Sequence, residues 1–175
     1  IIDAMLSVPR EAYVPRQLRD TAYIGENLPL AAGRVILEPR TLAKMLDVLD
    51  IGNDELVLDI GCGLGYSTAV IARMAQAVIG LENDDSMAED AQATLSDDDV
   101  DNAMVQLGPL EEGAAVHGPY DVIILQGAVE VLPQTLSEQL KENGRICEVF
   151  AHGALGGVRV GCKIVGQICW RDAVT

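Results

Sequence analysis

Between Pro39 and Ile51 the apolar residues Leu42, Met45, Leu46 and Leu49 recur at the spacing of one helix face, and Pro39 suits a first helical turn. An amphipathic helix is predicted there. The period then changes: "ELVLDI", Glu55 to Ile60, is a short β-rich run entering a cluster of glycines, and "STAVIARMA", Ser67 to Ala75, has the composition of a helix leaving it. The alternation continues with "AVIGLE" (Ala77 to Glu82) as strand and Asp84 to Leu95 as helix. After these come "DNAMVQL" and "YDVIILQ" (Tyr120 to Gln126) as strands, Pro133 to Lys141 as helix and "GRICEVF" as strand. Strands alternating with helices imply right-handed crossovers and a mainly parallel sheet covered on both faces. The tail breaks the rule. Within Gly157 to Arg171, "VRVGCKIVGQICWR" alternates apolar and polar residues about a Val-Gly pair and reads as an antiparallel hairpin closing the sheet.

The expected fold is therefore α/β, Rossmann-like, with a mainly parallel central sheet and a C-terminal antiparallel hairpin. At 175 residues and 49% hydrophobic the chain can bury one core, so a single domain over 1–175 is expected, with a core at 39–175 and an N-terminal cover segment at 1–38. No internal repeat, low-complexity segment or linker interrupts it. The first residue is Ile1 rather than methionine, and a somewhat longer parent protein is expected.

Charge narrows the partners. The net charge is −15, with the densest acid at "SDDDVDN", Ser96 to Asn102, read as a solvated loop. Nucleic acid and anionic membranes need a basic footprint that is missing here. The apolar region from Ile60 to Leu81 is broken by glycines, Arg73 and Gln76, which is wrong for a membrane span. The four cysteines, Cys62, Cys147, Cys162 and Cys169, form no C-x-x-C pair and adjoin no histidine cluster, so neither a metal site nor a disulfide framework is indicated and a reduced, cytoplasmic setting is expected.

The candidate chemistry lies in "LVLDIGCGLGY", Leu56 to Tyr66. In a doubly wound sheet ligands bind beyond the carboxyl ends of the strands, and Gly61, Gly63 and Gly65 would let the backbone fold tightly and bring its N–H groups against a ligand. Glu82, at the end of the second strand, is placed to accept hydrogen bonds from the two hydroxyls of a ribose. A dinucleotide turn requires G-x-G-x-x-G, and here Tyr66 stands at the sixth position. The pattern D-x-G-x-G-x-G led by Asp59 is the form this turn takes in class I methyltransferases, whose cofactor, S-adenosyl-L-methionine, has no pyrophosphate to neutralise. The bland alternative, a tight packing turn with a surface acid beside it, must explain strand, turn, helix and spaced acid together.

Several further segments, "VPREAYVP" (Val8 to Pro15), "AYIGENLPLAAGRVILEP" (Ala22 to Pro39), "YDVIIL" and "LPQTLSEQLKENGRI" (Leu132 to Ile146), lie in an order that resembles the protein-L-isoaspartate O-methyltransferases over nearly the whole chain. The resemblance implies protein repair: transfer of a methyl group from S-adenosyl-L-methionine to the free carboxyl of an isoaspartyl residue in a damaged protein. It also implies that Asp59, Gly61, Gly63 and Gly65 line the methionine end, Glu82 the ribose, and Gly108, Pro109 and Leu110 the adenine side; Cys62, inside the turn, is expected beside the cofactor through its backbone.

Two departures stand out. The family's G-Q-T-I-S-x-P places a serine hydroxyl at the methyl-transfer centre, whereas this chain reads "GRVILEP", with Leu37 at the serine position and Val35 at the threonine position. The family's G-D-G-x-x-G is here "GPLEEG", Gly108 to Gly113, with Pro109 for the aspartate. No catalytic residue is assigned on this ground, and a diverged cofactor-binding homologue with another acceptor, or without turnover, is the alternative. A carboxylate acceptor is already ionised, so the transfer needs placement rather than a base. His117 and His152 read as loop residues, Tyr66 as helix packing, and Arg34 as a surface cation or a substitute partner for a carboxylate.

Overall fold

The computed structural model describes residues 1–152 and 155–173, of which 151, 152, 155 and 156 by their backbone alone. A helix α1 (Ile2–Ser7) and two 3-10 turns (Arg10–Tyr13 and Arg16–Thr21) lead into a small antiparallel hairpin of β1 (Leu28–Ala31) and β2 (Arg34–Ile36). Next come α2 (Pro39–Leu49), β3 (Leu56–Ile60), α3 (Tyr66–Ala72), β4 (Ala77–Glu82), α4 (Asp85–Asp97) and β5 (Ala103–Leu107). The chain continues through β6 (Tyr120–Ala128), α5 (Gln134–Glu138), β7 (Leu140–His152), β8 (Leu155–Ile164) and β9 (Gln167–Ala173).

The main sheet has the order β5-β4-β3-β6-β7-β8-β9. Its pairs from β5 through β7 are parallel, and β7–β8 and β8–β9 are antiparallel, as the alternating tail implies. Val165 and Gly166 make the closing turn, with φ of 49° and 75°. The strand order reverses between β3, which is followed by β4 on one side, and β6 on the other, and that junction is where an open α/β sheet leaves a crevice.

The buried faces explain the register. On one face Leu42, Met45, Leu46 and Leu49 of α2 share a cluster with Val57, Val70, Ile71, Val78 and Val122; on the other, Leu58, Ile60, Ile79, Leu81, Ile123 and Leu125 meet Leu136 of α5. The cover segment joins the first cluster through Ala4, Val8, Tyr13 and Leu37. Arg10 is fully buried, donating from Nε to the Ala22 carbonyl (2.6 Å) and from Nη2 to the Leu37 carbonyl (3.0 Å), with its guanidinium 4.6 Å from the Tyr66 ring centre. These contacts tie "VPREAYVP" to the rest of the cover.

Three expectations change. The helix expected from Pro133 to Lys141 is confined to Gln134–Glu138, because the Gln139 carbonyl accepts from the Tyr120 N–H (2.8 Å) and Leu140 already pairs with Tyr120 as strand. His152 lies not in a loop but at the end of β7, opposite Leu155, while His117 closes a 3-10 turn. The acid stretch is only partly a solvated loop: Ser96 and Asp97 end α4, Asp98 accepts from the Tyr13 hydroxyl (2.9 Å), and the Asn102 amide caps α3 by donating to the Ala72 carbonyl (2.8 Å).

Candidate functional site

The turn after β3 is built from below by one buried carboxylate. Asp59 is inaccessible; its Oδ2 accepts from the hydroxyls of Ser67 (2.6 Å) and Thr68 (2.8 Å), and its Oδ1 from the Gln126 amide (2.8 Å). Burial pushes its carboxyl above the usual range against the pull of those hydrogen bonds. Asp59 thus positions the start of α3 and, on β6, Gln126.

Gly61, Gly63 and Gly65 have φ of 78°, 57° and 96°, the left-handed region. Gly63 is also pressed from above: a β-carbon there would lie 2.8 Å from Leu30 Cδ2, so the β1–β2 hairpin roofs the turn. The N–H groups expected to face a ligand are largely engaged within the protein. Those of Gly61 and Cys62 donate to the Leu81 carbonyl (2.8 and 3.1 Å), that of Gly65 to the Cys62 carbonyl (2.9 Å), and that of Gly63 to Glu82 Oε2 (2.7 Å). What the glycines supply is close approach. Cys62 is buried against Gly80, and burial raises its thiol well above the ordinary range, with the charges of Asp59 and Glu82 adding to the effect. Its side chain is no thiolate.

Glu82 sits at the end of β4, fully buried, and it is saturated. Arg34 of β2 forks onto it, Nη1 to Oε1 (3.0 Å) and Nη2 to Oε2 (2.7 Å), while the N–H groups of Asn83 (2.9 Å) and Asp84 (3.2 Å) also donate to Oε1. Burial alone would raise this carboxyl; the hydrogen bonds and charge of Arg34, with the backbone N–H groups, bring it below the usual range.

Two spaces adjoin the turn. One, among Tyr13, Leu30, Leu37, Gly63 and Tyr66, holds about 20 Å³, little more than one water, because Leu37 and Leu30 fill it. The other, of about 380 Å³, opens over the ends of β3 and β6. Its walls are mostly apolar, including Ile60, Leu110, Leu125, Val129 and Leu136, and Gly61 and Gln126 line it with Arg34 at its edge. Leu110 reaches this cavity; Gly108 and Pro109 line a neighbouring surface recess with Asn83 and Asp85. The expected site residues thus gather at one end of the sheet, with Asp59 beneath the surface and Leu37 in the roof.

Three contributors were not expected: Leu30 over Gly63, Gln126 in the cavity wall, and Gln139. Gln139 accepts from the Ala114 N–H (2.9 Å) and donates to the Glu112 carbonyl (2.8 Å), fixing the loop that carries Leu110. Gln126 had a readable signal, as the polar residue ending an apolar strand at its carboxyl end. Among the described residues no group of three or more His, Cys, Asp or Glu could hold a metal ion, and no helix is long and apolar enough to cross a membrane.

A glycine turn after the central strand, an acid ending the next strand and a crevice at the reversal of strand order define the fold of a class I methyltransferase. The model of the protein-L-isoaspartate(D-aspartate) O-methyltransferase family matches residues 1–149, and the chain belongs to that family. It is 38% identical over 146 residues to the protein-L-isoaspartate O-methyltransferase of Vibrio campbellii, covering 83% of this chain and 70% of that protein. With the Dictyoglomus turgidum protein of the same name the identity is 37% over 190 aligned positions, covering 98% and 86%. A solved protein-L-isoaspartate O-methyltransferase superposes with a TM-score of 0.83 at 22% identity, covering 99% of this chain and 58% of that one. A Plasmodium falciparum protein solved with S-adenosyl-L-homocysteine gives 0.77 at 21%, covering 99% and 86%.

Proposed function

We propose that this protein is an S-adenosyl-L-methionine-dependent O-methyltransferase that methylates the free carboxyl of L-isoaspartyl residues in damaged proteins, and that 1–175 works as one domain. The observation that carries the cofactor half is the joining of the glycine turn to Glu82 through the Gly63 N–H, beside an open cavity of about 380 Å³. Family membership carries the acceptor half. The residues fit the cofactor: Gly63 holds a left-handed φ of 57°, Glu82 can accept from two hydroxyls once Arg34 withdraws, and the Leu110 loop borders the remaining space.

When bound, the cofactor supplies an electrophilic methyl on a positively charged sulfur. The chain's residues supply placement. An isoaspartyl carboxylate is ionised at neutral pH and attacks without a base, so the rate depends on holding its oxygen in line and excluding water. The walls from Ile60, Leu110, Leu125 and Leu136 are apolar, and Gln126, fixed by Asp59, offers a polar group there. No nucleic-acid or membrane partner fits a net charge of −15, and four free cysteines accord with a reducing cytoplasm.

The test offers an isoaspartyl peptide and its normal aspartyl counterpart with methyl-labelled cofactor. Base-labile label on the isoaspartyl peptide alone is expected. Calorimetric binding of the cofactor with no transfer to that peptide would defeat the acceptor assignment, and absence of binding the whole reading.

A further inference from the structure

The cation that meets Glu82 belongs to the cover segment, and it occupies both oxygens that the ribose requires. Arg34 is 23% exposed while Glu82 is sealed, so the pair closes the ribose position from the solvent side. A cofactor hydroxyl and this guanidinium cannot both face the same carboxylate oxygens. The Gly63, Asn83 and Asp84 N–H groups can stay, because they reach Glu82 from the turn and from its own backbone. The released guanidinium also has a destination: Arg34 borders the open cavity, whose other charged wall residue among the described residues is Glu111, so a carboxylate entering there can meet it.

We propose that Arg34 exchanges partners during the reaction cycle: in the free protein it blocks the ribose position by clamping Glu82, and cofactor binding releases it to receive the acceptor carboxylate. This rests on the methyltransferase reading above. It makes binding ordered, cofactor before acceptor, since the acceptor's counter-charge is unavailable while it is locked on Glu82. It also gives the chain a partner for the substrate carboxylate where Val35 and Leu37 carry no hydroxyl. If the clamp is closed nine-tenths of the time, apparent cofactor affinity is reduced about tenfold.

The test is Arg34→Gln, with Arg34→Lys as a second variant that keeps the charge without the forked geometry. Three calorimetric titrations separate the possibilities: S-adenosyl-L-homocysteine, adenosine, and an isoaspartyl peptide added to protein saturated with S-adenosyl-L-homocysteine. Arg34→Gln is expected to bind the first two more tightly by the same factor, on the order of tenfold, and the peptide at least tenfold more weakly. Arg34→Lys is expected to fall between wild type and Gln in all three. A merely structural arginine cannot give tighter ligand binding on removal. Unchanged or weaker adenosine binding overturns the clamp, and weaker S-adenosyl-L-homocysteine binding with tighter adenosine binding assigns Arg34 to the methionine carboxylate instead. Peptide binding that is unchanged, or absent in wild type, overturns the acceptor role. Failure of both wild type and variant to bind either nucleoside removes the methyltransferase reading and this proposal with it.

Discussion

Replacing Glu82 by glutamine tests the centre of the site with a change of one atom. The carboxylate accepts five hydrogen bonds, two at Oε2 from Gly63 and Arg34, and three at Oε1 from Arg34, Asn83 and Asp84. An amide has one acceptor oxygen, so whichever way it is turned its NH2 group faces at least two donors. Two lost hydrogen bonds at about 1 kcal/mol each, plus the lost charge opposite Arg34, give about 2–3 kcal/mol. The charge contribution is kept small because Arg34 can rehydrate at its exposed edge. For a domain of this size that is a fall in Tm of about 5–10 °C. The sign with pH follows from the lowered carboxyl: the stabilisation is fully present above the ordinary value of 4.5 and is lost as pH falls through the folded value, so wild type and variant converge in acid. Urea unfolding from pH 7 to pH 3.5 measures this directly, and calorimetry with S-adenosyl-L-homocysteine should show binding weakened at least tenfold. A loss under 0.5 kcal/mol at pH 7, or a gap between the proteins that widens toward acid, would refute the reasoning. A cycle with Arg34→Gln isolates the ion pair from the backbone donors.

Arg145→Ala should cost about 2–3 kcal/mol in urea unfolding without loss of cofactor binding, since Arg145 forks onto Glu55 (2.6 and 2.8 Å) and donates to the Leu49 and Asp50 carbonyls ending α2, far from the cavity. The hydrogen bonds from Arg145 lower the Glu55 carboxyl, so this stabilisation too is present above the ordinary carboxylate range and fades as pH falls. Gln139→Ala should free the loop from Glu112 to Ala114, costing about 1–2 kcal/mol and raising KM for the cofactor more than it lowers kcat, read from initial rates. Leu37→Ser should raise kcat/KM for the isoaspartyl peptide by about one power of ten if the new hydroxyl reaches the acceptor, while losing about 1–3 kcal/mol of buried apolar contact in thermal melts.

The sequence carried the order of the sheet's elements because faces and turns are local quantities. The 3-and-4 spacing of Leu42, Met45, Leu46 and Leu49 marks the buried side of α2 with no knowledge of what it meets, and the Val-Gly pair marks the β8–β9 turn through its backbone requirement alone. The same local signals misplace the end of α5. Leu140 and Lys141 continue a plausible helix, but the pairing that begins at Tyr120 recruits them into β7, a decision made by a strand 20 residues away in sequence. At the site, spacing brings the turn and Glu82 to the same end of the sheet but does not show their state. Asp59 reads as a ligand-facing acid beside the glycines, yet side chains eight, nine and 67 positions further on surround it and turn it inward.

Arg34 shows why that distinction matters for function. From its neighbours in the chain it is a surface cation in an acidic protein, and the hydroxyls missing at Val35 and Leu37 make the acceptor side look merely depleted. Folding brings Arg34 across 48 residues onto Glu82, so Val35 and the cation belong to the same hairpin that roofs Gly63, with Leu37 just past its end. On the proposal above, Glu82 keeps its three backbone N–H donors when the cofactor is absent but without Arg34 has no counter-charge, at a cost that burial raises. The arginine removes that cost in the free protein. If Arg34 exchanges partners as proposed, cofactor affinity and stability of the ligand-free protein are opposed through one side chain: a substitution that frees Glu82 for the ribose weakens the empty fold, and one that tightens the Arg34 pair does the reverse.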